Sequence, residues 1–260
     1  MHAIGSRQDG WLRGLTAVAL ILLAGCGGKA PKKEPVETSP MYKMRMAESL
    51  MNAGRVGESL ATMQEAIEVE PNNTALRLQY GQLCFRSGRY HEAEESFLKA
   101  LEIDPYQTDA HNFLGTVYQE LGRTSDAERE YLTALQDLAY PTPEMVYLNL
   151  GLLYGDLGRD DDAIEALRKA VGISPKYYKA HFHLAAALER AGQIDEAARE
   201  YEVAEPGFTA SGEYFYRKGF AYFRLGQERE AREAFDRVME IAPGSESAAQ
   251  AGEVLRMMEE

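Results

Sequence analysis

The stretch Thr74–Gln107, TALRLQYGQLCFRSGRYHEAEESFLKALEIDPYQ, decides how the rest of the chain folds. Apolar residues recur at helical spacing on both sides of Ser87-Gly88-Arg89, and the second segment runs into Pro105. Glycine suits the left-handed position that closes a helix, and proline stops one. The reading is therefore two helices joined by a tight turn. Gly81, Ala93 and Ala100 are small, so the two backbones can approach closely, and Phe97 fills the space that remains.

The same marks return with a 34-residue period at starts Pro40, Thr74, Thr108, Glu144, Tyr178 and Gly212. The third start leads to Leu114, Gly115, Tyr118, Ala127, Tyr131 and Ala134; the fourth to Leu150, Gly151, Tyr154, Ala163, Leu167, Ala170 and Pro175. The fifth carries Leu184, Ala185, Leu188, Ala197, Tyr201 and Ala204, the sixth Gly219, Tyr222, Ala231, Phe235 and Pro243. The first is the weakest, with Ala47, Leu50, Ser59, Met63, Ala66 and Pro71. Period and marks together resemble the tetratricopeptide repeat (TPR). The fold expected is all-α: a superhelical array of six TPR hairpins over 41–260, closed by an amphipathic capping helix at 246–258. Two irregularities stand out. The third repeat runs two residues long through Tyr140-Pro141-Thr142-Pro143, and the fifth breaks at Glu205-Pro206-Gly207. Both are expected to alter the local superhelix.

Ahead of the repeats, residues 1–25 read as a secretion signal. Arg7 and Arg13 precede an apolar run, Leu15–Leu23, which is too short to span a bilayer. Leu23-Ala24-Gly25-Cys26 resembles the lipobox of bacterial lipoproteins. That resemblance implies cleavage before Cys26, a diacylglycerol on its thiol and an acyl chain on its new amino group, which together anchor firmly. Gly27, rather than Asp, points to the outer membrane. Residues 26–40 then form the lipidated cysteine and a polar tether, expected to be disordered with a reach of roughly 20 Å.

The formal charge of −13 argues against nucleic acid, whose binding needs clustered Lys and Arg. No catalytic constellation is visible, so no enzyme activity, metal or cofactor is expected beyond the covalent lipid. The sequence holds no H-E-x-x-H, CxxC or phosphate-cradling glycine loop. His111 and His181 fall at repeat position 4, where packing is the expected role; His181 and His183 diverge on a helix and share no metal. Asp160-Asp161-Asp162 reads as a helix N-terminus. Cys84, in a slot filled elsewhere by Tyr118 and Tyr154, reads as a buried inert thiol, and acylated Cys26 leaves it no disulfide partner.

In TPR arrays the first helix of each hairpin lines a concave groove. Positions 2, 5, 9 and 12 line it, and 5, 9 and 12 give Met44, Met51, Leu78, Phe85, Leu148, Leu152, Phe182, Tyr216, Phe220 and Phe223 as candidate partner-binding residues, with a polar middle at Asn112, Thr116 and Gln119. An apolar groove suits an amphipathic protein segment. No repeat pairs Lys at position 5 with Asn at 9, so a clamp for chaperone C-termini is not expected. The Tyr140-Pro141-Thr142-Pro143-Glu144 junction, followed by Asn149-Leu150-Gly151-Leu152, together with the lipobox and six repeats, resembles the type IV pilus biogenesis lipoproteins, the pilotin group of PilF, PilW and Tgl. The resemblance implies an outer-membrane, lipid-anchored, monomeric protein at the periplasmic face. It would bind the pilus secretin and promote secretin localisation and assembly, and so support twitching or gliding motility. The alternative is a lipoprotein scaffold for another envelope assembly or export system.

Overall fold

A computed structural model describes residues 39–259. The signal segment, Cys26 and most of the tether lie outside the described residues. The described chain forms thirteen α-helices and one short 3-10 turn. The helices pair into six hairpins: α1 (Pro40–Asn52) with α2 (Val56–Val69), α3 (Thr74–Arg86) with α4 (Tyr90–Ile103), α5 (Thr108–Glu120) with α6 (Thr124–Ala134), α7 (Pro143–Asp156) with α8 (Asp160–Ile173), α9 (Tyr178–Arg190) with α10 (Ile194–Ala204), and α11 (Gly212–Arg224) with α12 (Glu228–Ile241). The last helix, α13 (Glu246–Met257), closes the array. Among the described residues no helix is long and apolar enough to cross a membrane.

Local chemistry sets the helix ends. All six turn glycines, from Gly54 to Gly226, have φ between 70° and 78°, the left-handed region that a side chain disfavours. The first helices of three hairpins, and α13, are capped by side chains: Ser39, Asn73, Ser211 and Ser245 each accept from the backbone N–H three residues on. The second helices lack such caps. In four of them an arginine at the boundary reaches instead to an acid three residues later, at 2.6–2.8 Å: Arg55 to Glu58, Arg89 to Glu92, Arg123 to Asp126 and Arg159 to Asp162. Two of these arginines also lie over position-11 tyrosines, Arg123 on Tyr118 at 4.1 Å and Arg159 on Tyr154 at 4.3 Å.

Inside each hairpin the small residue of the first helix faces the large one of the second. A Cβ on Gly81 would lie 2.5 Å from the Phe97 ring, one on Gly115 2.5 Å from Tyr131, and one on Gly151 2.5 Å from Leu167. The first helices touch one another in a row (α1 with α3, α3 with α5, α5 with α7, α7 with α9), while the second helices show no comparable pairing. The first helices therefore occupy the inner curve. The row loosens between α9 and α11, where α9 meets the 3-10 turn Glu205–Gly207 instead. Phe208 fills that gap, 4.8 Å from the Phe182 ring and stacked 5.3 Å from Tyr214. The other irregular connection, after α6, is pinned by Tyr140, which is buried and donates its hydroxyl to Asp109 at 2.8 Å.

Asn112, expected in the groove's polar middle, is buried, as are Ser59, Ser96, Thr108 and His181. Cys84 is free and fully buried, and burial pushes its thiol up to about 11, which leaves it protonated and unreactive. His111 and His181 serve as polar ties rather than as apolar packing. His111 lies 2.7 Å from Glu130 and 3.3 Å from the Pro105 carbonyl; His181 lies 2.5 Å from Glu200 and 3.1 Å from the Pro175 carbonyl. Each joins both helices of its hairpin to the connection before it. The hydrogen bond to Glu130 raises the His111 pKa above its ordinary value, against desolvation. A group raised on folding stabilises fully below its unfolded pKa and loses that stabilisation as pH rises through the folded one. His111→Gln should therefore cost about 1 kcal/mol at pH 6 and much less at pH 8.5. Chemical denaturation of both proteins at the two pH values checks this, and a cost independent of pH would contradict it.

Candidate protein-binding surface

The inner curve has three regions, set by what each first helix offers to the next. At the N-terminal end, Glu48 accepts from Gln79 at 2.9 Å and from Arg86 at 2.5 Å, and Arg86 also reaches Asn52 at 2.8 Å. This polar lattice crosses the positions expected to be apolar and open. Met51 and Leu78 are buried in the core, and Met44 and Phe85 pack against it half-covered. In the middle, Asn149 donates to Asn112 at 3.1 Å and Gln119 to Asp156 at 3.0 Å. Leu148 is 2% exposed there, and Leu152 is half-buried against the same cluster. Met51, Leu78 and Leu148 are thus corrected from partner-binding to core residues. Neighbouring hairpins approach closely enough to cover them.

The C-terminal end differs. Tyr216, Phe220 and Phe223 are half-buried in α11, as Met44, Phe85 and Leu152 are in their own helices, but here they form an aromatic run: Tyr216 and Phe220 stack with centroids 6.0 Å apart, and Phe220 and Phe223 lie 6.2 Å apart. The facing helix, α13, contributes Glu246, Ser247 and Gln250, none of them apolar. A hollow of about 520 Å³ results, with Tyr216 and Phe220 in its wall and Glu189, Glu213, Arg217 and Glu246 around it. Arg217 is engaged with Glu213 at 3.1 Å, and the Tyr201 hydroxyl donates to Glu189 at 3.0 Å. The surround keeps a net acidic balance. Phe182, also proposed for the groove, is partly buried and takes its contacts from Tyr201, Phe208 and Tyr214, so it supports this end from behind. Burial, with Lys179 and Arg217 nearby, lowers the neighbouring His183 to about 4, so it is neutral at physiological pH.

The hollow offers aromatic faces and carboxylates but no nucleophile–base pair. Among the described residues no group of three or more potential metal ligands occurs. An apolar face beside carboxylates can take a segment bearing an apolar anchor beside a basic residue. Glu213, Glu246 and the buttress Phe208 were not singled out in the sequence. Glu213 falls at position 2 of its repeat, itself a groove slot, and Glu246 lies one residue before the equivalent slot in α13, but an aromatic in a loop carries no periodic signal.

Tetratricopeptide-repeat family models match residues 44–108, 85–139, 146–177, 179–202 and 212–245. No curated protein matches the sequence. Among solved structures, PilW, a widely conserved type IV pilus biogenesis factor, aligns with a TM-score of 0.73 at 22% identity over 81% of this chain and 97% of its own. Pseudomonas aeruginosa PilF aligns with a TM-score of 0.72 at 18% identity over 81% and 95%. YrrB, a TPR protein with an unusual peptide-binding site, aligns at 0.59 and 22% identity over 74% and 97%. At such identities the likeness establishes the fold.

Proposed function

Because the chain belongs to the tetratricopeptide-repeat family, we propose that it acts as a non-catalytic binding protein of type IV pilus biogenesis: a monomeric lipoprotein, acylated at Cys26, that holds the secretin subunit at the outer membrane and promotes its assembly. The observation that carries the reading is the end-to-end match with PilW and PilF, each aligned over nearly its whole length, array against array. The lipobox at Leu23–Cys26 supports it independently. The physical logic is one of local concentration. Acyl chains confine the protein to a surface, and a segment held in the aromatic hollow keeps each secretin subunit at that surface until neighbours arrive.

Deleting the gene is expected to abolish heat-stable secretin multimers while leaving the monomer detectable, as read by immunoblot of membrane fractions. Normal multimers in the deletion strain would contradict the reading and favour a scaffold for another envelope system.

A further inference from the structure

Antiparallel pairing gives the array two edges. One carries the six glycine turns, where Arg55, Arg89, Arg123 and Arg159 are each exposed and ion-paired. The other carries the connections from each hairpin to the next and also the start of α1 at Pro40, where the segment leading from Cys26 enters. Among the described residues the three most exposed large apolar side chains all stand on this second edge: Leu138 at 100%, Tyr106 at 89%, and Met41, beside the entry point, at 58%.

The first two project from loops that are held together. Thr108 donates to Asp137 at 2.7 Å across the two connections, and Tyr140 donates to Asp109 at 2.8 Å. Within each loop an aspartate fixes the turn: Asp104 accepts from the Tyr106 N–H at 3.1 Å and Asp137 from the Ala139 N–H at 2.9 Å. Folding leaves these apolar groups in water on braced supports, and Leu138 lies in the stretch lengthened by two residues relative to the other repeats.

We propose that this edge rests on the lipid bilayer, with Leu138 and Tyr106 entering the headgroup region. The inference rests on the lipid-anchor reading above. Geometry supports it, since the tether joins the array at that same edge. The first helices pack in a row, so at about 10 Å per helix the loops before α5 and α7 lie roughly 20–30 Å from Pro40, within the roughly 45 Å that residues 27–40 could span if extended. Tyrosine suits the interface, with its ring in the apolar layer and its hydroxyl in water. A contact too weak to recruit a free protein is effective once acyl chains hold it nearby. Asp104, Asp109, Asp137 and Glu144 on the same edge select zwitterionic over anionic headgroups.

The chain's one tryptophan, Trp11, precedes Cys26, so cleavage leaves the mature protein dark to tryptophan fluorescence. Three single reporters test the proposal in the acylated full-length protein on phosphatidylcholine vesicles: Tyr106→Trp, Leu138→Trp and, on the opposite edge, Leu157→Trp. Bromine-labelled lipid is expected to quench the first two at least twofold and to leave the third unchanged. Equal quenching of all three, or none, in protein that floats with the vesicles overturns the edge contact while leaving the anchor standing. Failure to float overturns the anchor reading, and this proposal with it.

Discussion

Replacing Phe97 by alanine is expected to remove about 3–5 kcal/mol of stability and to uncouple the first two hairpins from the rest. The ring is fully buried, occupies the space that Gly81 leaves open within its own hairpin, and stacks on Phe113 of the next at 5.3 Å and 17°. One substitution thus removes both an intra-hairpin and an inter-hairpin contact. In a solenoid each repeat contacts only its neighbours, so a weakened junction has no distant contact to compensate. Denaturant unfolding followed by circular dichroism should show a transition that is lower and split, the early phase carrying the N-terminal hairpins. Phe97→Leu, which keeps most of the volume, should cost less than half as much. A single transition displaced by under about 1 kcal/mol would show that the glycine–aromatic pairing is not what couples the repeats.

The second large effect concerns function. Phe220→Glu places a carboxylate in the wall of the hollow, amid Glu189, Glu213 and Glu246. It removes an apolar anchor and adds repulsion to a site that already carries an acidic balance. Truncation of central anchors in interfaces costs about 2–4 kcal/mol, so secretin binding should fall by about 100-fold, and secretin multimers should be lost in cells while the variant stays membrane-bound. Because Phe220 is only half-buried, its melting temperature should change little. Phe220→Leu keeps an apolar side chain and should retain most of the binding. The expectation fails if the glutamate variant assembles secretin as the parent does.

The repeats were legible in the sequence because their determinants are local. A glycine at φ near 70° in each turn, a proline two residues beyond a helix, and a glycine opposite an aromatic are decided within one hairpin. Five of the six hairpins begin at the expected residue, and the fourth begins at Pro143 rather than Glu144. The candidate surface was only partly legible because its exposure is decided between hairpins. Leu78 and Tyr216 occupy the same repeat position, yet Leu78 is buried in the core whereas Tyr216 is half-buried in the wall of a hollow that Glu246, Ser247 and Gln250 of the next helix also line. No periodic pattern distinguishes those outcomes, because burial at this position is set by the neighbouring repeat and not by the residue's own helix. Phe208 was missed for a related reason: it enters the core from a break in the repeat, where periodicity gives no expectation. The histidines illustrate a third case. Position 4 predicted a packing role for His111, but the acid that turns it into a polar tie, Glu130, lies on the other helix of the hairpin.

The most direct test of the central claim is an equilibrium titration of the purified mature protein with the periplasmic part of the pilus secretin, run in parallel with Phe220→Glu. The account predicts saturable one-to-one binding by the parent protein and about 100-fold weaker binding by the variant, with matching circular dichroism spectra for the two. Equal affinity in both, or no binding by the parent, would contradict it.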